Sequence, residues 1–197
     1  MNVHVDDHDP KRLLRHTLRQ KRREFTDTFR TQAQAGFTAG LRQLCHTHSS
    51  GPILAYFPTE HEPPLRTGLE ELSSTREVWL PVTGPDRSLS WALWNQHTRF
   101  SPTGPGGLAE PSGARRPAPE HPGMILVPAL ALDTSGLRLG MGGGYYDSFL
   151  SHLDPTVPRI ACVFDHEVLP VGAVPCDPWD ARIPTVLTET GVRPITA

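Results

Sequence analysis

The sequence predicts an α/β protein in which one open, mostly parallel sheet carries helices on both faces, giving three layers. Short apolar segments without polar alternation are typical of strands that are covered on both sides, and here helical segments separate several of them. The predicted strands span residues 53–57, 77–81, 88–94, 124–128, 159–164 and 185–189, the last of these closing the series. Because open sheets of this kind bind ligands at the carboxyl ends of their strands, we expect the functional site at that edge.

Apolar residues at helical spacing predict the remaining elements. They place helices over residues 10–30, 31–46, 65–72 and 144–153. Residues 1–9 are polar and predict a flexible tail, while the many Pro and Gly residues of 101–123 predict a long irregular loop. Neither side of that loop holds a complete core of its own. The 197 residues are therefore predicted to form a single domain.

Composition and charge limit the classes of molecule that this protein is expected to bind. The net charge is −2, so no overall field favours a nucleic acid or a membrane surface. No apolar stretch approaches the ~18 residues that a membrane span needs. Cys45, Cys162 and Cys176 are widely spaced and form no metal or disulfide pattern. These observations predict a reduced, cytoplasmic protein. We also expect a monomer, although none of these observations bears on the oligomeric state.

A glycine-rich segment, RLGMGGGYYD, occupies residues 138–147 between a predicted strand and a predicted helix. Glycines let backbone N–H groups approach phosphate closely, and a helix N-terminus adds unpaired donors. Arg138 offers a planar fork for phosphate oxygens, and Asp147 offers a carboxylate for magnesium. The segment fits neither GxGxxG nor the P-loop pattern. A flexible loop whose Asp147 only meets the helix dipole is the alternative.

The first predicted helix is strongly basic. Lys11, Arg15 and Arg19 are spaced four residues apart and share one face, near Arg22. Such a face is either simply solvated or binds a polyanion. The second interpretation predicts that the basic face lies beside the glycine-rich segment.

These residues together resemble the 5-formyltetrahydrofolate cyclo-ligase family. The stretch PALALDTSGLRLGMGGGYYD at 128–147 is similar to the family signature. Similar segments are KRLLR (11–15), YFPTEHEP (56–63), GLAEP (107–111) and PWDARIPTVLTE (178–189). The resemblance implies an enzyme that uses ATP and magnesium to cyclise 5-formyltetrahydrofolate to 5,10-methenyltetrahydrofolate, releasing ADP and phosphate. The implied partners are ATP and the folate, with or without a polyglutamate tail.

The resemblance also implies a role for each matching residue. Those implied for ATP are Lys11, Arg15, Arg138, Leu139, Gly140, Met141, Gly142, Gly143, Gly144, Tyr145 and Tyr146. Those implied for the folate are Phe57, Glu62, Tyr145 and Tyr146, and those implied for magnesium are Asp147 and Asp180. Core packing is an equally good account of Phe57 and Tyr146.

Three positions depart from the family pattern. Ser148 stands where members often carry arginine, Pro184 where many carry a second aspartate, and Gly106 where some carry an aromatic residue. These departures motivate an alternative function: a folate-binding or regulatory member with reduced catalysis.

Overall fold

The computed structural model describes residues 9–177 and 180–195. Within those residues it contains four α-helices: α1 (Pro10–Arg23), α2 (Asp27–Thr47), α3 (Arg66–Leu72) and α4 (Tyr145–His152). The predicted tail lies outside the described residues except for Asp9. The Asp9 carboxylate accepts a hydrogen bond from the Lys11 N–H and caps α1. None of these helices combines the length and the apolarity that a bilayer crossing requires.

The predicted helix over residues 10–30 is wrong, because two helices occupy that stretch. Helix α1 ends at Arg23, and Thr26 takes an extended backbone conformation. The Thr26 side chain then accepts a hydrogen bond from the Phe29 N–H at 3.2 Å. Apolar spacing continues across this break, so only the N-cap residue marks it.

The strands are β1 (Ile53–Leu54), β2 (Val78–Thr83), β3 (Leu89–Trp94), β4 (Phe100–Ser101), β5 (Glu110–Pro111), β6 (Met124–Pro128), β7 (Ala131–Asp133), β8 (Arg138–Leu139), β9 (Arg159–Cys162), β10 (Val168–Leu169), β11 (Thr185–Thr188) and β12 (Gly191–Pro194). The main sheet runs in the order β12-β11-β9-β6-β1-β2-β3. Its inner pairs are parallel, and both edge pairs are antiparallel. The mostly parallel sheet is confirmed. The prediction that 185–189 is the last strand is wrong, because β12 is short and lacks an apolar pattern.

Alternate residues of the main sheet enter two separate cores. On one face, Ile53 packs in the same cluster as Phe37 of α2 and Leu69 of α3. On the other face, Leu54 packs in the same cluster as Leu150 of α4. Because neighbouring strand residues point to opposite faces, the two clusters show that helices cover both sides of the sheet, as predicted.

Helix α1 packs on a small second sheet rather than on the main one. That sheet runs β10-β7-β8, and Leu18 of α1 shares a cluster with Leu130, Leu137 and Leu139. The buried carboxylate of Asp133 shapes the turn from β7 to β8 by accepting bonds from the N–H groups of Ser135 and Leu137 and from the Ser135 hydroxyl. This packing fixes α1 beside the glycine-rich segment.

The Pro- and Gly-rich stretch 101–123 is more ordered than predicted. Strands β4 and β5 pair antiparallel across it. The buried Glu110 carboxylate accepts bonds from the Thr83 N–H, the Thr83 hydroxyl and the Thr103 hydroxyl. Burial opposes ionisation of Glu110, but these hydrogen bonds prevail and lower its pKa. The ionised carboxylate therefore ties the stretch to the end of β2.

Candidate active site

A cavity of about 490 Å³ opens at the carboxyl ends of β1, β2 and β6. The chain adds β2 and β3 on one side of β1 and then places β6, β9, β11 and β12 on the other. The cavity thus lies where the strand order reverses, which is the expected ligand position in an open α/β sheet. Its walls include Phe57 after β1, Thr83 at the end of β2, Pro128 at the end of β6, and the residues 140–144, here named the glycine loop.

Arg138 supports the glycine loop from beneath. Its Nη1 donates to the Pro128 carbonyl at 3.0 Å, and its Nη2 donates to Asp147 Oδ1 at 2.6 Å. A Cβ added to Gly140 would come within 2.6 Å of Arg138 Nη1. Glycine is required at 140 because the guanidinium occupies the space of a side chain.

The glycine loop leads into α4 with its donors free. Gly144 has φ +72°, which L-residues rarely adopt. The N–H groups of residues 141–144 donate to no other residue within the described parts of the chain. Asp147 follows in the first turn of α4, with 27% of its side chain exposed. The cavity is thus lined by residues whose N–H groups are unused, which suits a phosphate group, and by a carboxylate, which suits a cation that the phosphate would share.

The basic face of α1 lies against the other side of the glycine loop. Arg15 Nε donates to the Gly140 carbonyl at 2.9 Å, and Arg19 Nη2 donates to the Met141 carbonyl at 3.0 Å. This is the position that the polyanion interpretation of the helix predicts. Both arginines hold the loop by its carbonyl oxygens, so its N–H groups stay available.

Comparison with known proteins gives the family. The model of the 5-formyltetrahydrofolate cyclo-ligase family matches residues 7–189. The chain belongs to the 5-formyltetrahydrofolate cyclo-ligase family. It is 36% identical to the cyclo-ligase of Mycolicibacterium smegmatis, over 90% of this chain and 93% of that protein. It is 27% identical to the cyclo-ligase of Escherichia coli, over 89% of this chain and 98% of that protein.

Solved structures agree with this membership. The 5,10-methenyltetrahydrofolate synthetase of Aquifex aeolicus superposes with a TM-score of 0.78 at 26% identity, covering 95% of this chain and 93% of that one. The synthetase of Mycoplasma pneumoniae superposes with a TM-score of 0.70 at 21% identity, covering 91% of this chain and 98% of that one, and shares the fold.

Glu62 and Phe57, which the family resemblance implies for the folate, line the same cavity as the glycine loop. Glu62 is 9% exposed, and its Oε2 accepts bonds from the Thr59 N–H and hydroxyl at 2.8 and 2.9 Å. Phe57 lines the same cavity and packs against Phe100. Thr59 was missed from the sequence, although its spacing to Glu62 within a turn was visible. Its bonds hold the carboxylate in one orientation.

Two buried tyrosine hydroxyls also belong to the cavity. Tyr146 was predicted from the sequence as a site residue, whereas Tyr56 was missed. Tyr56 and Tyr146 line the cavity, and their hydroxyls are buried without hydrogen-bond partners in the described chain. Burial raises the pKa of Tyr146, and the nearby charge of Glu62 raises it further. Burial likewise raises the pKa of Tyr56 and of Cys162. The tyrosines stay protonated at neutral pH and can donate hydrogen bonds.

Four of the implied residues do not line the cavity: Arg15, which binds the Gly140 carbonyl, and Lys11, Leu139 and Asp180. Lys11 Nζ pairs with Asp177 Oδ2 and with Asp180 Oδ2 at 2.5 and 2.6 Å. Burial opposes protonation of Lys11, but these carboxylates outweigh it and raise the pKa. Leu139 is 1% exposed and packs in the core under α1. The structure therefore gathers the glycine loop, Arg138, Asp147, Glu62 and the aromatic residues, but it holds Lys11 and Asp180 in a separate ion pair.

Asp147 can contribute one carboxylate to a magnesium site. Among residues 9–177 and 180–195, no group of three or more His, Cys, Asp or Glu side chains could enclose a metal ion. Asp147 lines the cavity; its Oδ1 pairs with Arg138, and its Oδ2 has no hydrogen-bond partner among the described residues. Magnesium commonly binds one or two carboxylates and completes its shell with phosphate oxygens and water. The residues present fit that mode.

Proposed function

We propose that this protein catalyses the ATP- and magnesium-dependent cyclisation of 5-formyltetrahydrofolate to 5,10-methenyltetrahydrofolate. The observation that carries the proposal is the composition of one cavity. The same cavity is lined by the glycine loop, whose N–H groups have no partner in the described residues, by Arg138, by Phe57 and by an oriented Glu62. A phosphate chain suits the glycine loop and Arg138, and a flat ring with hydrogen-bond donors suits Phe57 and Glu62.

The proposed reaction proceeds in two steps. The formyl oxygen attacks the γ-phosphorus of ATP, the bond to the β-phosphate oxygen breaks, and ADP leaves. The 10-nitrogen then attacks the formyl carbon and loses its proton, and inorganic phosphate departs with the former formyl oxygen. Both steps move negative charge among phosphate oxygens, so positioning and charge neutralisation are what the protein must supply.

The residues that line or adjoin the cavity meet those needs. The N–H groups of the glycine loop would bind phosphate oxygens, and Arg138 and Arg15 would offset their charge. The Glu62 carboxylate would accept hydrogen bonds from the folate ring, and the protonated Tyr146 could donate to the formyl oxygen. Asp147 would hold magnesium, which supplies charge neutralisation when bound. Lys11 and Asp180 would join the ATP site only after their ion pair opens.

An absorbance assay for methenyltetrahydrofolate tests the proposal. Purified protein is mixed with 5-formyltetrahydrofolate, ATP and Mg²⁺, and matched reactions omit ATP or Mg²⁺. We expect product only in the complete mixture. Calorimetric binding of the folate without ADP release would instead establish the binding or regulatory alternative that Ser148, Pro184 and Gly106 suggest.

The cellular setting belongs to the same proposal. A monomer in the cytoplasm, without a nucleic-acid or membrane partner, stays a prediction from the sequence, as does a single domain. Acceptance of polyglutamylated folate is proposed as well.

A further inference from the structure

A second, smaller cavity of about 160 Å³ adjoins the main one. Thr59, Glu62 and Met141 line both cavities. Some residues line the second cavity but not the main one. They include three cations of α1, Arg19, Arg22 and Arg23, and also His61.

Arg22 is the buried one of these cations. It is 1% exposed, its Nε and Nη2 donate to Glu167 at 2.7 Å, and Nη2 also donates to the Ala129 carbonyl at 2.7 Å. Its Nη1 is buried and has no hydrogen-bond partner in the part of the chain that the structure describes. A buried guanidinium N–H without an acceptor is costly. Arg22 also lines the second cavity, so a ligand there would lie next to a guanidinium that has one unused N–H group.

The other cations of the second cavity add positive charge and donors. Arg19 and Arg23 form no ion pair with a carboxylate of residues 9–177 or 180–195. Burial lowers the pKa of Arg19, and the neighbouring Arg15, Arg23 and Arg22 lower it further. Desolvation is thus the main cause of the lowered pKa, and the neighbouring cations add to it.

A neighbouring arginine fixes the tautomer of His61. Its Nδ1 lies 3.2 Å from Arg30 Nη2. Because a guanidinium can only donate, Nδ1 accepts and the ring hydrogen of neutral His61 stays on Nε2. The carboxylate of Glu62, which also lines the cavity, is already bonded to Thr59 through Oε2. Positive charge therefore exceeds negative charge around this space.

The second cavity is large enough for one oxyanion group. Its volume of about 160 Å³ is many times the ~10–15 Å³ that one water molecule needs. One phosphate or carboxylate group with some water therefore fits there.

We propose that this cavity is an oxyanion subsite that binds a phosphate or carboxylate group through the guanidinium groups of Arg19, Arg22 and Arg23. Two sources share this chemistry: phosphate released at the adjacent glycine loop, and a carboxylate of the folate tail. The choice of these two sources rests on the proposed function. The proposal that the cavity binds an oxyanion is independent of the proposed function.

The first experiment is a calorimetric titration with inorganic phosphate, without ATP or folate. Arg23→Gln removes a cation that lines only the second cavity, and we expect it to weaken phosphate binding ~10-fold, because a charge-assisted hydrogen bond is lost. Lys21→Gln is the matched control: Lys21 is an exposed cation on the same helix, outside both cavities. We expect it to change the affinity by less than about twofold, as is usual for a surface charge away from the ligand.

An Arg138→Gln background separates the two cavities, because it removes the cation beneath the glycine loop. Phosphate binding that persists in this background and still depends on Arg23 supports the subsite. Equal weakening by Arg23→Gln and Lys21→Gln overturns it, and so does an absence of binding at millimolar phosphate and millimolar glutamate. Because no turnover is measured, this result is independent of whether the cyclo-ligase assay succeeds.

Steady-state kinetics then identify the source. If the subsite takes released phosphate, product inhibition by phosphate weakens in Arg23→Gln while the KM for the folate stays unchanged. If it takes the folate tail, the KM for the folate rises in Arg23→Gln, and a pteroyl substrate without glutamate loses that dependence on Arg23. Both results support an oxyanion subsite. A variant with unchanged inhibition and unchanged KM values overturns it.

Discussion

Two arginine–carboxylate pairs lie beside the cavities. They differ in whether the carboxylate keeps an oxygen without a hydrogen-bond partner among the described residues. In the Arg22–Glu167 pair both acid oxygens accept bonds from the arginine, and Oε2 also accepts the Phe164 N–H. In the Arg138–Asp147 pair only Oδ1 is used. The side chains of the first pair are 1% and 0% exposed, and those of the second are 4% and 27% exposed. The Glu167 carboxylate is therefore saturated by the fold, whereas the Asp147 carboxylate keeps one oxygen without a hydrogen-bond partner among the described residues.

The largest expected effect comes from breaking the saturated pair. Arg22→Ala leaves the Glu167 charge buried and unpaired, so we expect the free energy of unfolding to fall by ~3–5 kcal/mol. Urea denaturation measures it. The double change Arg22→Met with Glu167→Leu should recover most of the loss, because apolar groups of similar size can replace a buried pair. A single variant within about 1 kcal/mol of the parent would contradict a structural role for the pair.

Breaking the second pair should affect chemistry more than folding. We expect Arg138→Gln to lower kcat by roughly 10²–10³, as for other groups that stabilise transition-state charge. The methenyltetrahydrofolate absorbance assay measures it at saturating ATP. Its urea midpoint should move less than that of Arg22→Ala. Near-normal turnover would remove Arg138 from the proposed phosphate site.

Asp133 should behave like Glu167, because its oxygens are also occupied by hydrogen bonds. Burial opposes its ionisation, but these bonds outweigh burial and lower its pKa below the usual 3.8. Its ionised form therefore stabilises the fold above pH 3.8, and that stability is lost as the pH falls through the lowered pKa.

We expect Asp133→Asn to cost ~1–3 kcal/mol at neutral pH, because buried bonds are lost. The difference from the parent should shrink in urea titrations at progressively lower pH below 3.8. An equal difference at neutral and acidic pH would argue against an ionised Asp133 in the fold.

The smallest expected effect tests the donor side of the site. Gly144→Ala places a Cβ on a backbone with φ +72° and should cost ~1–2 kcal/mol of stability. Gly172→Ala is the matched control, since it has φ +79° and open space around it. Thermal unfolding should show similar losses for both variants, whereas only Gly144→Ala should lower turnover. Parallel activity losses would show that stability, rather than loop geometry, limits the assay.

Local patterns account for the parts of this structure that the sequence could predict. Apolar segments predicted the parallel strands, and glycine spacing with Arg138 and Asp147 predicted the loop and its neighbours. Glu167, in contrast, meets Arg22 across 145 positions of the chain, and Glu110 meets Thr83 across 27. No period or motif links such partners, because each is buried only after the sheet forms. The same holds for the pairing of Lys11 with Asp180, which no local rule indicates.

The contacts of α1 can form only late in the synthesis of the chain. Lys11 and Asp180 lie 169 positions apart, and Arg15 reaches the carbonyl of Gly140 from a distance of 125 positions. A chain leaving the ribosome at ~5–20 residues per second must expose its first helix for much of its synthesis before these partners exist. Until then the basic face of α1 has only solvent and ions around it, and both cavities lack a wall. The binding sites are therefore among the last features of this molecule to be completed.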